Sequence, residues 1–422
     1  MRAILFKYLR TNPIYSHQLP ESPIQFGPFN LFIQRRWKKP ANTAQTRLEN
    51  RTRVLKLDLI TSQIRKLNIA LHLFDLMSQR RRHYVSVQIM SRWTNVVGLN
   101  VSMGDFLGNY PHVFDVFTHP VRKNVCCSVT RKMKALIEEE RVVMEECELD
   151  NVKRVKKLLM MSKEGMLHLH ALRLVRRELG LPVDFRESIL GKYTDNFKLV
   201  DLEVVALVER DESLGVGGVE KWREKEYKEK WLSEFETKYA FPINFPTGYV
   251  IEKSFKDKLK NWQRLSYVKP YEKEVKQSRT KAGIERFEKR VVGILHEFLS
   301  LTVEKMMDVE RIVHFRKDLG IEVNFRELLL KHPGIFYIST KGDTQTVYLR
   351  EAYSKGDLIE SNPFYNVRRK MMDLMLLGRR NTNELKADKA TYEKKRCAET
   401  DKIVEGTKDG DWVIPLLEKT DD

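Results

Sequence analysis

Three stretches of the chain repeat one arrangement of apolar and polar positions. In each stretch a glycine is followed by a valine three positions later, and a phenylalanine follows that valine after thirteen or fourteen residues. The glycines are Gly98, Gly180 and Gly320. The second and third copies also share Phe-Arg-Glu two residues after the valine, so they indicate a true repeat, whereas the first copy is a weaker match.

Each copy predicts the same order of secondary structure. Apolar residues at helical spacing run up to the glycine, over 165–179 in the second copy and 302–319 in the third, and the glycine would cap this helix. A short helix follows, for example 324–331 with Asn324 as its N-cap. A pair of short strands completes each copy, and we expect these strands at 113–117 and 125–129, within 197–208, and at 335–338 and 346–349.

This order of helix, turn, helix and hairpin predicts a mainly α fold with short β-hairpins (α+β), built from tandem winged-helix-like repeats. Modules of this kind often present a helix and a basic wing to nucleic acid, although they can also pack together only as a scaffold. We expect an RNA-binding region at 51–380 that contains repeat-like units at about 54–130, 151–210 and 282–353 and a basic, aromatic insertion at 211–281.

The two ends of the chain differ from this region in composition. Residues 1–53 carry ten Lys and Arg against two Glu, and no acidic residue precedes Glu21. Such a start is typical of an organelle-targeting presequence, placed here at 1–50, and its low serine content favours the mitochondrion over the chloroplast; a plain basic N-terminus is the alternative. Residues 381–422 are polar, with eight Lys and Arg against eleven Asp and Glu, which predicts a charged, disordered tail.

The charge balance of the whole chain adds a class of partner. The net charge is +18 and the pI is about 9.5, which favours a polyanion: nucleic acid first and an anionic membrane surface second. No apolar run reaches the ~18 residues that a spanning helix needs, so membrane insertion is excluded. Residues 249–281 concentrate the signal, because ten Lys and Arg stand there against four acids and are interleaved with aromatic residues.

Cations neutralise phosphates and aromatic rings stack on bases, so this combination favours single-stranded RNA. The alternatives are a solvated helix face for the lysines and core packing for the aromatic residues. A second compact basic cluster follows near the end of the region. The candidate RNA-binding residues are Lys253, Lys256, Lys258, Lys260, Trp262, Arg264 and Tyr267 in the insertion, and Arg368, Arg369 and Lys370 in the second cluster.

Catalytic and metal-binding patterns are missing from the sequence. There is no HExxH, GxSxG or Walker motif, so no catalytic residue, metal or cofactor is predicted. Cys126 and Cys127 are adjacent in an apolar run and lack the spaced pairs of a structural zinc site. A thiol nucleophile is disfavoured, because no nearby residue marks the electropositive, exposed setting that it needs.

Several motifs follow one another in a consistent order over about residues 50–380. They are Phe185-Arg186-Glu187, Phe245-Pro246-Thr247-Gly248-Tyr249, the run 332–339, the run 346–353, and the stretch from Leu358 to Arg380. Together these motifs resemble the plant organelle RNA recognition (PORR) family. The resemblance implies a land-plant protein that is imported into mitochondria or chloroplasts and binds organelle RNA without catalysis. It also implies a role in group II intron splicing beside other splicing factors.

The combined interpretation is a non-enzymatic organellar RNA-binding protein, predicted to be mitochondrial, that holds single-stranded or structured intron RNA in a shape competent for self-splicing. Two alternatives stay open. One is a protein-interaction scaffold in an organellar ribonucleoprotein, and the other is a thiol hydrolase, which the absence of a Cys/His constellation disfavours.

Overall fold

Three small antiparallel sheets follow one another along the chain, and each has the same strand order. The computed structural model describes residues 44–378, apart from 50, 82, 247–248, 250, 252, 274–279, 322 and 361, so the predicted presequence and tail lie outside the described residues. The described part consists mainly of helices with short β-hairpins, and the predicted fold class is confirmed. The predicted domain boundaries stay a prediction.

The first unit is preceded by a short helix, α1 (Ala44–Glu49), and is built around one long helix and a three-stranded sheet of order β1-β3-β2. A further helix, α6, then leads to the second unit. These elements are α2 (Leu55–Ser78), β1 (Tyr84–Ser86), α3 (Val87–Ser91), α4 (Thr94–Val97), α5 (Met103–Gly108), β2 (Phe114–Thr118), β3 (Val125–Val129) and α6 (Arg131–Glu146).

The second unit repeats this plan with strand order β4-β6-β5, and three helices of the insertion follow it. The unit comprises α7 (Glu148–Met161), β4 (Met166–His168), α8 (Leu169–Leu174), α9 (Arg176–Leu179), a π-helical turn (Arg186–Leu190), β5 (Phe197–Asp201) and β6 (Val204–Leu207). The insertion comprises a 3₁₀ turn (Glu212–Leu214), α10 (Gly218–Lys230), α11 (Glu234–Thr237) and α12 (Lys253–Arg264).

The third unit has strand order β7-β9-β8 and is followed by a last helix over 363–378, labelled α16. Its elements are α13 (Lys281–Leu301), β7 (Met306–Asp308), α14 (Val309–Val313), α15 (Phe325–Lys331), β8 (Phe336–Ser339) and β9 (Thr346–Leu349). A 3₁₀ turn (Arg350–Ala352) and a two-residue ladder of β10 (Tyr353–Ser354) with β11 (Asp357–Leu358) connect β9 to α16.

The repeated glycines end a helical turn in the same way in all three units. Gly98, Gly180 and Gly320 have φ of 72°, 76° and 67°, a left-handed conformation that glycine adopts without steric cost. In each case the amide after the glycine donates to the carbonyl five residues earlier, for instance Leu181 to Arg176 at 2.7 Å. This is the Schellman arrangement, and it makes the first copy as regular as the other two.

The first strand of each sheet was not expected. Residues 166–168 and 306–308 lie in stretches predicted as continuous helix, and that prediction is wrong at these positions. Leu167 pairs with Val205 and Met307 pairs with Val347, so each strand forms through hydrogen bonds to a hairpin distant in the chain. Three residues are too few to show strand periodicity, and the pairing is set by tertiary contacts.

The third sheet separates two apolar cores. Side chains alternate between the faces of a strand, and here both faces are covered. Phe336 and Ile338 of β8 pack in a core with the second unit and α13, whereas Tyr337 packs in a second core with α2 and α16. Every residue of β8 and β9 is buried, while β2 and β5 of the other two hairpins are largely exposed.

Candidate nucleic-acid interface

Helix α12 is amphipathic, with its cations on the side that faces solvent. Its half-buried apolar side chains are Phe255, Leu259 and Trp262, spaced by three and four residues as one helix face requires. Lys253, Lys256, Lys260 and Arg264 follow the opposite face at the same spacing and are exposed, and we call these four residues the α12 stripe. Lys258 is also exposed and lies beside the apolar face.

The cations of α12 are not neutralised by neighbouring acids. Within the described ranges, none of the stripe residues and not Lys258 forms an ion pair or hydrogen bond through its side chain. The lysines of α10 behave differently, since Lys225, Lys228 and Lys230 each pair with a glutamate one turn away on their own helix. The α12 stripe is therefore available to an external anion.

A buried lysine from the third unit holds the carboxyl end of α12. Lys289 of α13 is 0% exposed, and its Nζ donates to the carbonyl oxygens of Trp262, Gln263 and Leu265 at 2.6, 3.0 and 2.8 Å. The last carbonyls of a helix have no partners within the helix and carry its negative dipole end, so an ammonium group is stabilising there. Burial, and to a lesser extent Arg223, lowers the pKa of Lys289 to about 7. Sequence reasoning missed this residue, because a lone lysine in α13 carries no local signal.

Trp262 packs against the core with part of its ring exposed. Its ring lies 4.6 Å from the ring of His332 and 5.4 Å from that of Phe241, and the Lys289 ammonium lies 4.7 Å from its centroid. Burial lowers the pKa of His332 to about 4, so this neighbour is a neutral ring at physiological pH. Trp262 therefore anchors α12 to the core, and its contact with RNA stays a prediction.

Tyr267 is also a core residue, and the prediction that it contacts RNA stays a prediction. It is buried, and its hydroxyl accepts a hydrogen bond from Nη2 of Arg223 at 2.8 Å. Its ring packs against Phe241 with centroids 5.5 Å apart. Tyr267 follows α12, and the chain turns back toward the core after this helix. The local sequence does not show that turn, so it does not predict that Tyr267 is buried.

The second predicted cluster is occupied by acids of the protein itself. Arg368 is 5% exposed, and its guanidinium donates to Glu140 at 2.8 Å and to Glu304 at 3.1 Å. Burial opposes the charge, but the two glutamates outweigh it and raise the pKa of Arg368. Arg369 pairs with Asp357 at 2.9 Å, and Lys370 pairs with Glu139 at 2.5 Å. Arg368 is thus buried and paired, and its two neighbours are exposed but already paired, so contact of this cluster with RNA stays a prediction.

Two motifs that resembled the PORR family, far apart in sequence, meet in the structure. The amide of Asn244 donates to the carbonyl of Gly334 at 2.8 Å, which ties the segment before α12 to the turn before β8. A Cβ at Gly334 would lie 2.5 Å from Ile243 and 3.1 Å from Phe245, so only glycine allows this approach. The two motifs thus form one structural site beside the amino end of α12.

Two of the cysteines in the described part of the chain, Cys127 and Cys147, have thiols that ionise less readily than a free thiol. Burial, with smaller contributions from Asp115 and Cys126, raises the pKa of Cys127 to about 12, and burial also raises the pKa of Cys147. The search over the described residues yields no cluster of His, Cys, Asp and Glu suited to a metal ion. Over the same part of the chain, no helix combines the length and apolarity that crossing a membrane requires.

Comparison with known proteins identifies the family. The profile of the plant organelle RNA recognition domain matches residues 52–380. The chain belongs to this PORR family. No solved structure matches the chain.

Three PORR relatives give a measure of the similarity. The chain is 37% identical to Protein ROOT PRIMORDIUM DEFECTIVE 1 of Arabidopsis thaliana over 75% of its own length and 80% of that protein. It is 30% identical to Protein WHAT'S THIS FACTOR 9, mitochondrial, of Arabidopsis thaliana over 72% and 80%. It is 28% identical to Protein WHAT'S THIS FACTOR 1, chloroplastic, of Zea mays over 76% and 66%. Family and relatives together support an organellar RNA-binding factor and point to a binding protein rather than an enzyme.

Proposed function

We propose that this PORR protein is a non-catalytic splicing factor that binds group II intron RNA in the mitochondrion, beside other splicing factors, and that the α12 stripe contacts the RNA backbone. In this proposal the predicted repeat-like units are the modules of the RNA-binding region, and residues 1–50 direct import. The intron RNA supplies the chemistry, and the protein holds it in a reactive shape.

The observation that carries the proposal is the unpaired charge on α12 and the way the helix is held. The stripe extends from Lys253 to Arg264, about 16 Å at 1.5 Å per residue. That length corresponds to roughly five nucleotide steps at about 3.4 Å per nucleotide of one strand of a duplex. Lys289 and Trp262 hold the helix against the third unit, so the stripe has a defined position on the molecule.

The test uses tagged full-length protein in isolated organelles. RNA cross-linked to the protein is recovered and sequenced, and transcripts of plants that lack the protein are examined for retained introns. We expect group II introns to be enriched in the mitochondrial sample and the same introns to be retained when the protein is missing. Recovery of no RNA would support the scaffold alternative. Recovery of group II introns from chloroplasts would change the proposed compartment and leave the proposed RNA-binding function intact.

A further inference from the structure

A cavity of about 260 Å³ lies where the two family motifs meet. Its wall is formed by Tyr249 and Pro246 from the segment before α12, by Leu329 of α15, by Tyr337 of β8 and by Arg350 after β9. The cavity adjoins α12, because the ring of Phe245 stacks on Tyr249 at 5.0 Å and also contacts Phe255 of α12 at 6.3 Å. A cavity of roughly 150 Å³ accommodates a benzene ring, so this one has room for a single base.

Arg350 is a buried cation that has no carboxylate partner among the described residues. Its side chain is 8% exposed, and its guanidinium lies 5.2 Å from the ring centroid of Tyr337. Its one hydrogen bond is a long contact of 3.4 Å from Nε to the carbonyl of Phe336, and both Nη atoms lack an acceptor among the described residues. Burial lowers the pKa of Arg350 to about 10, so it stays charged at neutral pH.

The contrast with Arg368 indicates what is missing at Arg350. Both arginines are buried, but Arg368 donates to two glutamates and to a backbone carbonyl. A guanidinium that lines a cavity with free parallel donors is suited to a ligand that carries two adjacent acceptors.

We propose that this cavity accepts one unstacked base of the RNA strand that follows α12, and that the base is guanine, with Arg350 donating to its O6 and N7. This inference rests on the proposed RNA-binding function and adds a base preference to it. Guanine offers two adjacent acceptors on one edge, and arginine is the residue that most often reads them. Aromatic walls such as Tyr249 suit the faces of a base that has left its stack.

The experiment is a set of fluorescence anisotropy titrations of the full chain with short labelled oligouridylates. One strand contains only uridine, and three otherwise identical strands carry a single central guanine, adenine or cytosine. We expect the guanine strand to bind roughly 5- to 150-fold more tightly than the uridine strand, the range of one good bidentate contact. Arg350→Lys keeps the charge but loses the two parallel N–H donors of the guanidinium. It should therefore remove most of this preference and leave the affinity for the uridine strand nearly unchanged.

Two further variants separate the outcomes. Arg326→Lys changes an exposed arginine of α15 outside the cavity lining and should keep the guanine preference. Tyr249→Leu should weaken binding of the guanine strand more than that of the uridine strand. If thermal melting shows that Arg350→Lys does not fold, Tyr249→Leu is the variant that tests the guanine pocket. Equal affinity of the wild type for all four strands, or an Arg350→Lys variant that weakens all of them equally, overturns the base pocket. Absence of binding to any strand contradicts the proposed RNA-binding function itself.

Discussion

Two basic clusters that look alike in the sequence have different fates in the structure. On α12 the cations face solvent without acidic partners among the described residues, whereas Arg368, Arg369 and Lys370 on α16 are all paired with acids. Two of the acids that neutralise α16, Glu139 and Glu140, come from α6, and Glu140 lies 228 residues before Arg368. A run of positive charge therefore indicates an RNA-binding surface only when the fold brings no acids to it.

The two helices also differ in what their cations do for the fold. Arg368 joins α16 to α6 and to Glu304 after α13, so it stabilises the packing of distant segments. Within the part of the chain that the structure describes, the stripe cations make no such contact, and α12 is held by Lys289 and Trp262 instead. Structural and binding roles are thus divided between cations that the composition alone cannot distinguish.

The largest expected effect is at Arg368. Arg368→Gln leaves Glu140 and Glu304 buried without their common partner, and losing one side of a buried pair costs about 3–5 kcal/mol of unfolding free energy. Arg369→Gln, next to it but exposed, should cost less than about 1 kcal/mol. Urea denaturation of both variants measures the difference. A fully stable Arg368→Gln variant with weakened RNA binding would mean that α16, and not α12, presents the phosphate contacts.

A smaller loss of stability is expected at the anchor of α12. Lys289→Met leaves three helix-end carbonyls without a donor, which should cost about 2–3 kcal/mol. It should also weaken RNA binding, because the stripe then loses its fixed position. The matched control is Lys281→Met, which changes an exposed lysine of the same helix and should stay within about 0.5 kcal/mol. Denaturation and anisotropy titrations check both effects. Unchanged RNA affinity in a destabilised Lys289→Met variant would mean that the position of α12 does not contribute to RNA binding.

Asp58 is a third buried charged residue, and the pH dependence of the unfolding free energy tests whether its carboxylate is paired. Asp58 accepts hydrogen bonds from Ser339, Arg53 and Tyr337 at 2.7, 2.7 and 2.9 Å. Burial alone would raise the pKa of Asp58, but these bonds outweigh it and lower the pKa below 3.8. Its stabilisation should therefore be complete above pH 3.8 and disappear as the pH falls through the folded-state pKa.

Asp58→Asn should accordingly cost about 2 kcal/mol at neutral pH, with the gap to the wild type closing below pH 4. Asp343→Asn, at an exposed pair with Arg65, should change stability by less than about 1 kcal/mol. Urea midpoints measured from pH 3 to 7 give the comparison. A gap for Asp58→Asn that persists unchanged at pH 3 would contradict the lowered pKa.

The smallest effect on stability, and the one that tests α12 directly, concerns the stripe. Lys253→Ala, Lys256→Ala and Lys260→Ala together should change the unfolding free energy by less than about 0.5 kcal/mol, because these side chains make no contacts to lose. They should weaken single-stranded RNA binding about equally for all sequences. The slope of log K against log salt should shrink by up to ~2.1, at about 0.7 per lost phosphate contact.

The control for the stripe has the same change in charge. Lys225→Ala, Lys228→Ala and Lys230→Ala on α10 remove three exposed lysines that already pair with glutamates. Anisotropy titrations at several salt concentrations compare the two triple variants. If both triple variants change the slope of log K against log salt equally, RNA binding depends on the net charge of the protein and not on a specific surface at α12.

Features that depend on near neighbours in the chain can be predicted from the amino-acid sequence alone. The glycines that end helical turns, the hairpins at 114–118 with 125–129 and at 336–339 with 346–349, and the amphipathic face of α12 all follow from residues a few positions apart. The family motifs and the net charge of +18 are likewise properties of the linear chain. Backbone conformation and periodicity are local, so a linear pattern can specify them.

Which of these features meet depends on the tertiary structure. It added the short first strand to each sheet, packed Trp262 and Tyr267 against the core, and neutralised Arg368 with glutamates from two other segments. It also brought Tyr249 and Arg350 to one cavity. Burial and ion pairing depend on groups that lie tens to hundreds of residues apart, and the free energy of a charge is set by what surrounds it after folding. For that reason the sequence predicts the residue types of the binding surface, but only the folded chain shows which cations remain free to bind RNA.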